Sequence, residues 1–372
     1  MNLTIGSEEK VVLLLSKKNL NENEIEDLRK LFASYMDWSK VIGYLQLHRV
    51  TGNAWLNICN FILKENFHIT NFYIVRVIEM IYKAQTELAN EHFKLTLEVL
   101  KELKKNNIRY ALLKGIILSG YVYEDIGLRM FNDCDVLIHP SDIKQAELVL
   151  TNLGYIQGMY SYEQKKILPA SRREIIERPI LTHEVYPFVK TGKEKFLNVH
   201  IIDLQFSIDL MSNVRTDDVV DKLLEKSIEV NIMDNPISTL NWENHLLFLC
   251  IHLYKEAIYL SEVNRYKELL LYKINDIFNL CNSNDIKIDW DQFIQDVILN
   301  NFQEAVYFAL YYVNCVYNGE SEILNNLLLK IKPKDISYLH EVIIDNERKF
   351  SWSQPVLERL FNMNKPAKLK GI

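Results

Sequence analysis

The strongest constraint on this 372-residue chain is a change of hydrophobic texture along it. From Asn21 to Tyr82 and from Ala84 to Asn106, apolar residues recur at three- and four-residue spacing, as at Phe93, Leu97, Leu100 and Leu103, without strong breakers. That period lays one apolar stripe along a helix, so the first hundred residues are expected to be helical. At Ile108 the period is lost. Ile108 to Leu113 is a short β-prone run stopped by Lys114-Gly115, and Asp133 to Ile138 is another. Between them Ile116 to Tyr123 reads as a helix, as does Ser141 to Leu153, with Ser141 as N-cap and Gly154 as C-cap. His183 to Val189 and Leu197 to Phe206 read as strands joined by the turn-like Lys190-Thr191-Gly192-Lys193, hence antiparallel neighbours. Beyond Pro236 helices return through Asn244 to Ala257, Glu262 to Cys281, Trp290 to Asn300 and Gln303 to Tyr317, followed by a short Lys-containing tail. The expected class is α+β, a small mixed sheet flanked by helical regions, divided as 1–106, 107–235 and 236–372.

Composition narrows the partners. A hydrophobic fraction of 48% excludes a disordered chain, and a net charge of −6 disfavours a long nucleic acid, whose binding draws on a cationic surface. The five cysteines, Cys59, Cys134, Cys250, Cys281 and Cys315, form no C-x-x-C pair, so neither a disulfide framework nor a zinc knuckle is expected. The N-terminus lacks the pattern of a signal peptide, and no segment approaches the roughly 18 apolar residues of a membrane span. The expectation is a soluble, unexported, cytoplasmic protein.

Chemistry concentrates at Asp133-Cys134-Asp135. In a strand, residues i and i+2 share a face, so both carboxylates project together and need a cation between them, or one must hold its proton. About six acid-x-acid triplets are expected by chance at this acidic content, so context decides. Lys114-Gly115 ends a strand and opens a helix, where backbone N–H groups favour an anion. Gly127-Leu128-Arg129 puts a guanidinium just before the acids, and Ile201-Ile202-Asp203-Leu204 places a third carboxylate in another apolar strand. Three carboxylates, a glycine turn and an arginine at one sheet edge suit metal ions and a polyphosphate.

Leu112-Leu113-Lys114-Gly115, Tyr123, Gly127-Leu128-Arg129, Asn132 to Ile138 and Asp203-Leu204-Gln205-Phe206, with Leu246 to His252, Asp276 and Ile288-Asp289-Trp290, resemble nucleotidyltransferase family 5 of the polymerase-beta-like nucleotidyltransferase superfamily. The resemblance spans roughly Glu87 to Phe293. It implies a two-metal transfer of a nucleoside monophosphate from an NTP to a hydroxyl or phosphate of a small-molecule, peptide or protein acceptor, with release of pyrophosphate. Asp133, Asp135 and Asp203 would be catalytic and hold Mg²⁺ or Mn²⁺. Gly115 would admit the phosphates, and Lys114, Arg129 and Lys273 would meet their charge. Relatives of this kind often accompany peptide natural-product genes, which makes a modified peptide a conceivable acceptor. The chain departs from the pattern at Ile116, where Gly or Ser is usual, and at Gln205, where many relatives carry His.

Plainer roles compete at several positions. Lys114 could be a solvated strand-end residue, Arg129 a structural partner of Asp125 or Asp133, His183-Glu184 a capped or surface pair rather than a contact to the acceptor, and His252 a core histidine. Lys273 and Asp276 are spaced for an intrahelical ion pair. The cluster from Lys165 to Arg178, with Lys166, Arg172 and Arg173, reads as a solvated loop or as a surface for an acidic or phosphorylated acceptor. At the level of function, a sugar-nucleotide glycosyltransferase and a catalytically degenerate nucleotidyltransferase-fold binding module are the alternatives.

Overall fold

The computed structural model describes residues 5–64, 71–182, 184–208, 217–344, 348–365 and 369–371. The fold is α+β, with helices and a mixed eight-stranded sheet. The chain divides into two compact units, one formed by Met1–Tyr82 with Leu246–Ile372 and the other by Lys83–His245. These limits differ from the texture changes at Ile108 and Pro236, because the Phe72–Lys105 and Trp242–Ile258 helices each run across a unit boundary.

The Lys83–His245 unit is built on the sheet. Its strands are β1 (Tyr110–Leu112), β2 (Cys134–Ile138), β3 (Ile156–Ser161), β4 (Lys166–Pro169), β5 (Phe188–Thr191), β6 (Val199–Gln205), β7 (Ile228–Ile232) and β8 (Asn235–Thr239). They lie in the order β4-β3-β5-β6-β2-β1-β8-β7. β2 is buried along its whole length, as its near-continuous apolar run requires of a central strand. It pairs antiparallel with β1 and parallel with β6. β5 and β6 are antiparallel, as the intervening turn residues imply.

Three local expectations are corrected. Lys165 to Arg178 is not a loop: it forms β4 of the β3–β4 hairpin and the start of an Arg172–Thr182 helix. Lys, Arg and Glu residues interspersed along these elements hide both the strand and the helix period. Ser141 does not cap the next helix: His139 caps the Pro140–Asp142 turn, its Nδ1 accepting the Ser141 N–H at 3.2 Å, and the Ile143–Asn152 helix starts at Asp142 without a side-chain cap. Gly154, with φ +85°, does close that helix in the left-handed conformation that favours glycine. The Glu262 to Cys281 helix is two, Leu260–Asn264 and Leu271–Cys281, broken where Tyr266 and Leu269 take positive φ.

The other unit is helical apart from a three-stranded sheet of Glu341–Ile343, Lys349–Trp352 and Leu369–Gly371 in what reads as a tail. Its Glu22–Ala33 helix starts at a reciprocal capping box between Asn21 and Glu24. Asn53 and Asn275 both donate to the Ser16 carbonyl, satisfying the C-terminus of the Ser7–Ser16 helix inside the core. A fully buried network joins Glu268 to Arg359 and, at 2.7 Å, to Lys365.

Candidate active site

The parallel pairing of β2 with β6 sets Asp135 directly opposite Asp203. Two carboxylates thus stand side by side on neighbouring strands, and Asp133, two residues before Asp135, belongs to the same face. Asp133 is exposed, Asp203 half-buried and Asp135 buried. Burial lifts the Asp135 pKa to about 6, helped by the Asp133 and Glu184 charges and opposed by Lys114. Asp203 is raised well above the usual carboxylate range by burial and then by Asp133, Asp135 and Glu184, with Arg178 opposing. Oδ1 of Asp203 is buried without a hydrogen-bond partner.

Cations approach from β1. Lys114 follows that strand and donates Nζ to Asp135 Oδ1 at 3.2 Å, while the Leu113 N–H donates to the Asp135 carbonyl at 2.9 Å. The strained backbone belongs to Lys114, with φ +45° and ψ −121°, rather than to Gly115. A side chain at Gly115 would meet the Phe131 ring at 3.4 Å, an ordinary contact. From Gly115 the chain runs through one short α-turn into a π-turn, Leu118–Val122. There the buried Ser119 hydroxyl lies 3.0 Å from the Gly115 carbonyl and 3.1 Å from that of Arg129, tying the arginine loop to the helix start. Asp125 accepts the Gly127 N–H at 2.8 Å, and Gln85 donates to the Gly127 carbonyl at 2.9 Å, so that loop is pinned from both sides. Arg129 is buried, and both it and Lys114 bear electrostatically on His245. Burial first and these two cations next hold the His245 pKa at about 3, which fixes the ring as neutral beside Thr239.

Gln205 and Glu184, which the sequence marks as a departure from the family pattern and as part of a pair weighed for the acceptor or the surface, both lie at the carboxylates. Gln205 is buried and donates Nε2 to Asp135 Oδ1 at 2.6 Å, so it aims a carboxylate by a hydrogen bond that does not titrate. Glu184 forms an antiparallel bridge to Gln205, which carries its carboxylate to the aspartates; Arg178 donates to it at 2.8 Å. Pairing across some twenty intervening residues leaves no sequence signal. His183 lies outside the described residues. Lys273 belongs to the other unit, where it is buried, pairs with Glu256 and donates to the Lys267 carbonyl at 2.6 Å. Its carboxylate partner therefore lies on the Trp242–Ile258 helix. Glu256 also takes His252 at 3.1 Å, a hydrogen-bonded histidine as the plainer reading holds. His200 is a satisfied core histidine between Thr96 and Tyr155.

Among the described residues, no three His, Cys, Asp or Glu side chains already converge as a metal site. The donor set nevertheless suits a hard divalent cation: the candidates are all carboxylate oxygens, and Asp203 Oδ1 is an orphaned buried acceptor.

A mixed sheet with carboxylates in register on adjacent parallel strands, one of them paired with Lys114, is the framework expected of a nucleotidyltransferase. Residues 34–318 match the family described as uncharacterised nucleotidyltransferase, and the chain belongs to that family. Among solved structures, an antigenic nucleotidyltransferase-like protein from Paracoccidioides brasiliensis is similar at 14% identity, over 58% of this chain and 88% of its own, with a TM-score of 0.33. No curated protein matches the chain. Among the described residues, no helix is long and apolar enough to cross a membrane.

Proposed function

We propose that the chain transfers a nucleoside monophosphate from an NTP to a hydroxyl or phosphate of a small-molecule, peptide or protein acceptor and releases pyrophosphate. The observation that carries this reading is the Asp135–Asp203 register, with one Asp203 oxygen buried and unpartnered. Asp133, Asp135 and Asp203 would hold Mg²⁺, which when bound neutralises charge on the attacking and departing oxygens. Gln205 keeps Asp135 aimed. Lys114 releases that carboxylate and turns its ammonium to phosphate, a movement its flexible four-carbon stem allows. Arg129, held through its carbonyl by Ser119, offers a guanidinium to the departing pyrophosphate. The acidic surface favours a small or polypeptide acceptor over a long nucleic acid.

The test is pyrophosphate release with each of the four NTPs, Mg²⁺ and a panel of hydroxyl-bearing acceptors. Release with at least one nucleotide, abolished in Asp133→Asn and Asp203→Asn, supports the reading. Release that persists in both variants removes the carboxylates from the reaction.

A further inference from the structure

The Arg172–Thr182 helix is unusual because none of its residues is buried and Pro179 interrupts its hydrogen bonding. Helices of this length owe most of their stability to packing of an apolar face. Here an apolar face points outward: Arg172, Ile176 and Ile180 stand four residues apart in one row, with Ile176 54% and Ile180 65% exposed. Met159 and Leu168 on the adjoining hairpin are exposed too, at 63% and 41%. Between Tyr160 and Thr182 there are five cationic residues and three anionic ones, a local excess of two positive charges on a chain of net charge −6. Among the described residues β4 is also an edge strand that pairs with β3 alone, so one row of its backbone N–H and C=O groups has no strand partner among them.

This surface adjoins the carboxylates. β3 pairs with β5 only at Ile156 and Gln157, so the rest of the hairpin continues past β5 in the direction in which β6 runs toward Gln205. Arg178 of the helix holds Glu184, which bridges to Gln205.

Resting on the nucleotidyl-transfer reading, we propose that the β3–β4 edge and the Arg172–Thr182 helix dock the acceptor, and that this acceptor is an extended polypeptide bearing both carboxylates and apolar side chains. The carboxylates meet Lys165, Lys166 and Arg172, the apolar side chains meet Ile176 and Ile180, and the peptide backbone adds to β4. A polypeptide is favoured over a lipid surface because β4 offers a backbone ladder that lipid cannot complete.

Fluorescence anisotropy of the full chain with labelled probe peptides tests this, using an alternating Leu-Glu peptide, its Leu-Lys counterpart and a Ser-Glu control. The Leu-Glu peptide is expected to bind at least tenfold more tightly than either, and the Ile176→Asp/Ile180→Asp variant to lose at least tenfold with an unchanged melting temperature. Arg172→Glu is expected to weaken the Leu-Glu peptide and to leave the Leu-Lys peptide no weaker. Absent or variant-insensitive Leu-Glu binding, or equal binding of the Leu-Lys peptide, overturns the proposal. So does recruitment to phosphatidylglycerol vesicles in place of the peptide, or a dimer in sedimentation that the isoleucine variant dissociates. NTP binding measured on the same samples separates the two readings. NTP binding without peptide binding removes the dock alone, whereas specific peptide binding without any NTP affinity leaves a peptide-binding surface and removes the transferase reading.

Discussion

Gln205 donates to Asp135 Oδ1 at 2.6 Å from the neighbouring strand, sharing that oxygen with Lys114 at 3.2 Å. One carboxylate oxygen is therefore committed to positioning, which leaves the other for a cation.

Replacing Gln205 by Leu removes that aim. Activity is expected to fall about tenfold, the equivalent of ~1.4 kcal/mol at the transition state. Gln205→His, which keeps a ring N–H donor, should recover most of it. Steady-state kinetics of both variants decide the matter; a Leu variant as active as the parent would show that Asp135 needs no second donor.

Lys114 separates two effects. Its φ of +45° with ψ of −121° is a conformation that glycine adopts without penalty, and such strain is worth on the order of 1–3 kcal/mol. Lys114→Gly and Lys114→Ala both remove the ammonium and should both be poorly active. The Gly variant should unfold at higher urea concentration than the Ala variant, and a reversed order would place the strain elsewhere.

Glu268 compensates two buried cations, Arg359 and Lys365. Glu268→Ala strands both, so a loss of about 3–5 kcal/mol is expected in chemical denaturation. A loss below about 1 kcal/mol would mean that water reaches the network.

Buried histidines make the fold acid-labile. His48, His200 and His245 have pKa values lowered to about 3 and His92 to about 4, chiefly by burial. Unfolding frees each to protonate near 6.5, so the unfolded chain binds more protons as pH falls below that value. Stability drops by up to about 1.4 kcal/mol per pH unit for each histidine. Asp135, raised to about 6, and Asp203, also raised, act in the opposite sense, gaining protons first in the folded state. Four histidines outweigh two carboxyls, and urea midpoints should fall steadily from pH 6.5 to pH 4. A flat or rising profile would contradict the assignment of buried neutral rings.

Much of this arrangement is legible in the sequence where local pattern suffices. β2 announces itself because two acids alternate inside an apolar run, and the long helices because their stripes repeat. Register is different: nothing near Asp135 says that Asp203 lies beside it, since parallel pairing joins segments separated by two α-helices, a hairpin and the strand β5. Gln205 reads in sequence as a departure from a pattern, and only the strand pairing gives it a partner. Lys273 illustrates the converse, because its helix is foreseeable while its pairing with Glu256 depends on how two helices pack. The β3–β4 hairpin and the helix after it escape detection because exposed Lys, Arg and Glu mask both periods and Pro179 breaks one of them.

The most direct test of the central claim is calorimetric titration of NTPs into the intact protein with and without Mg²⁺. The Asp135–Asp203 register predicts affinity for at least one NTP that requires Mg²⁺ and drops at least tenfold in Asp135→Asn and in Asp203→Asn, with melting temperatures at or above that of the parent. NTP binding that ignores both Mg²⁺ and these substitutions, or no NTP binding at all, would contradict it.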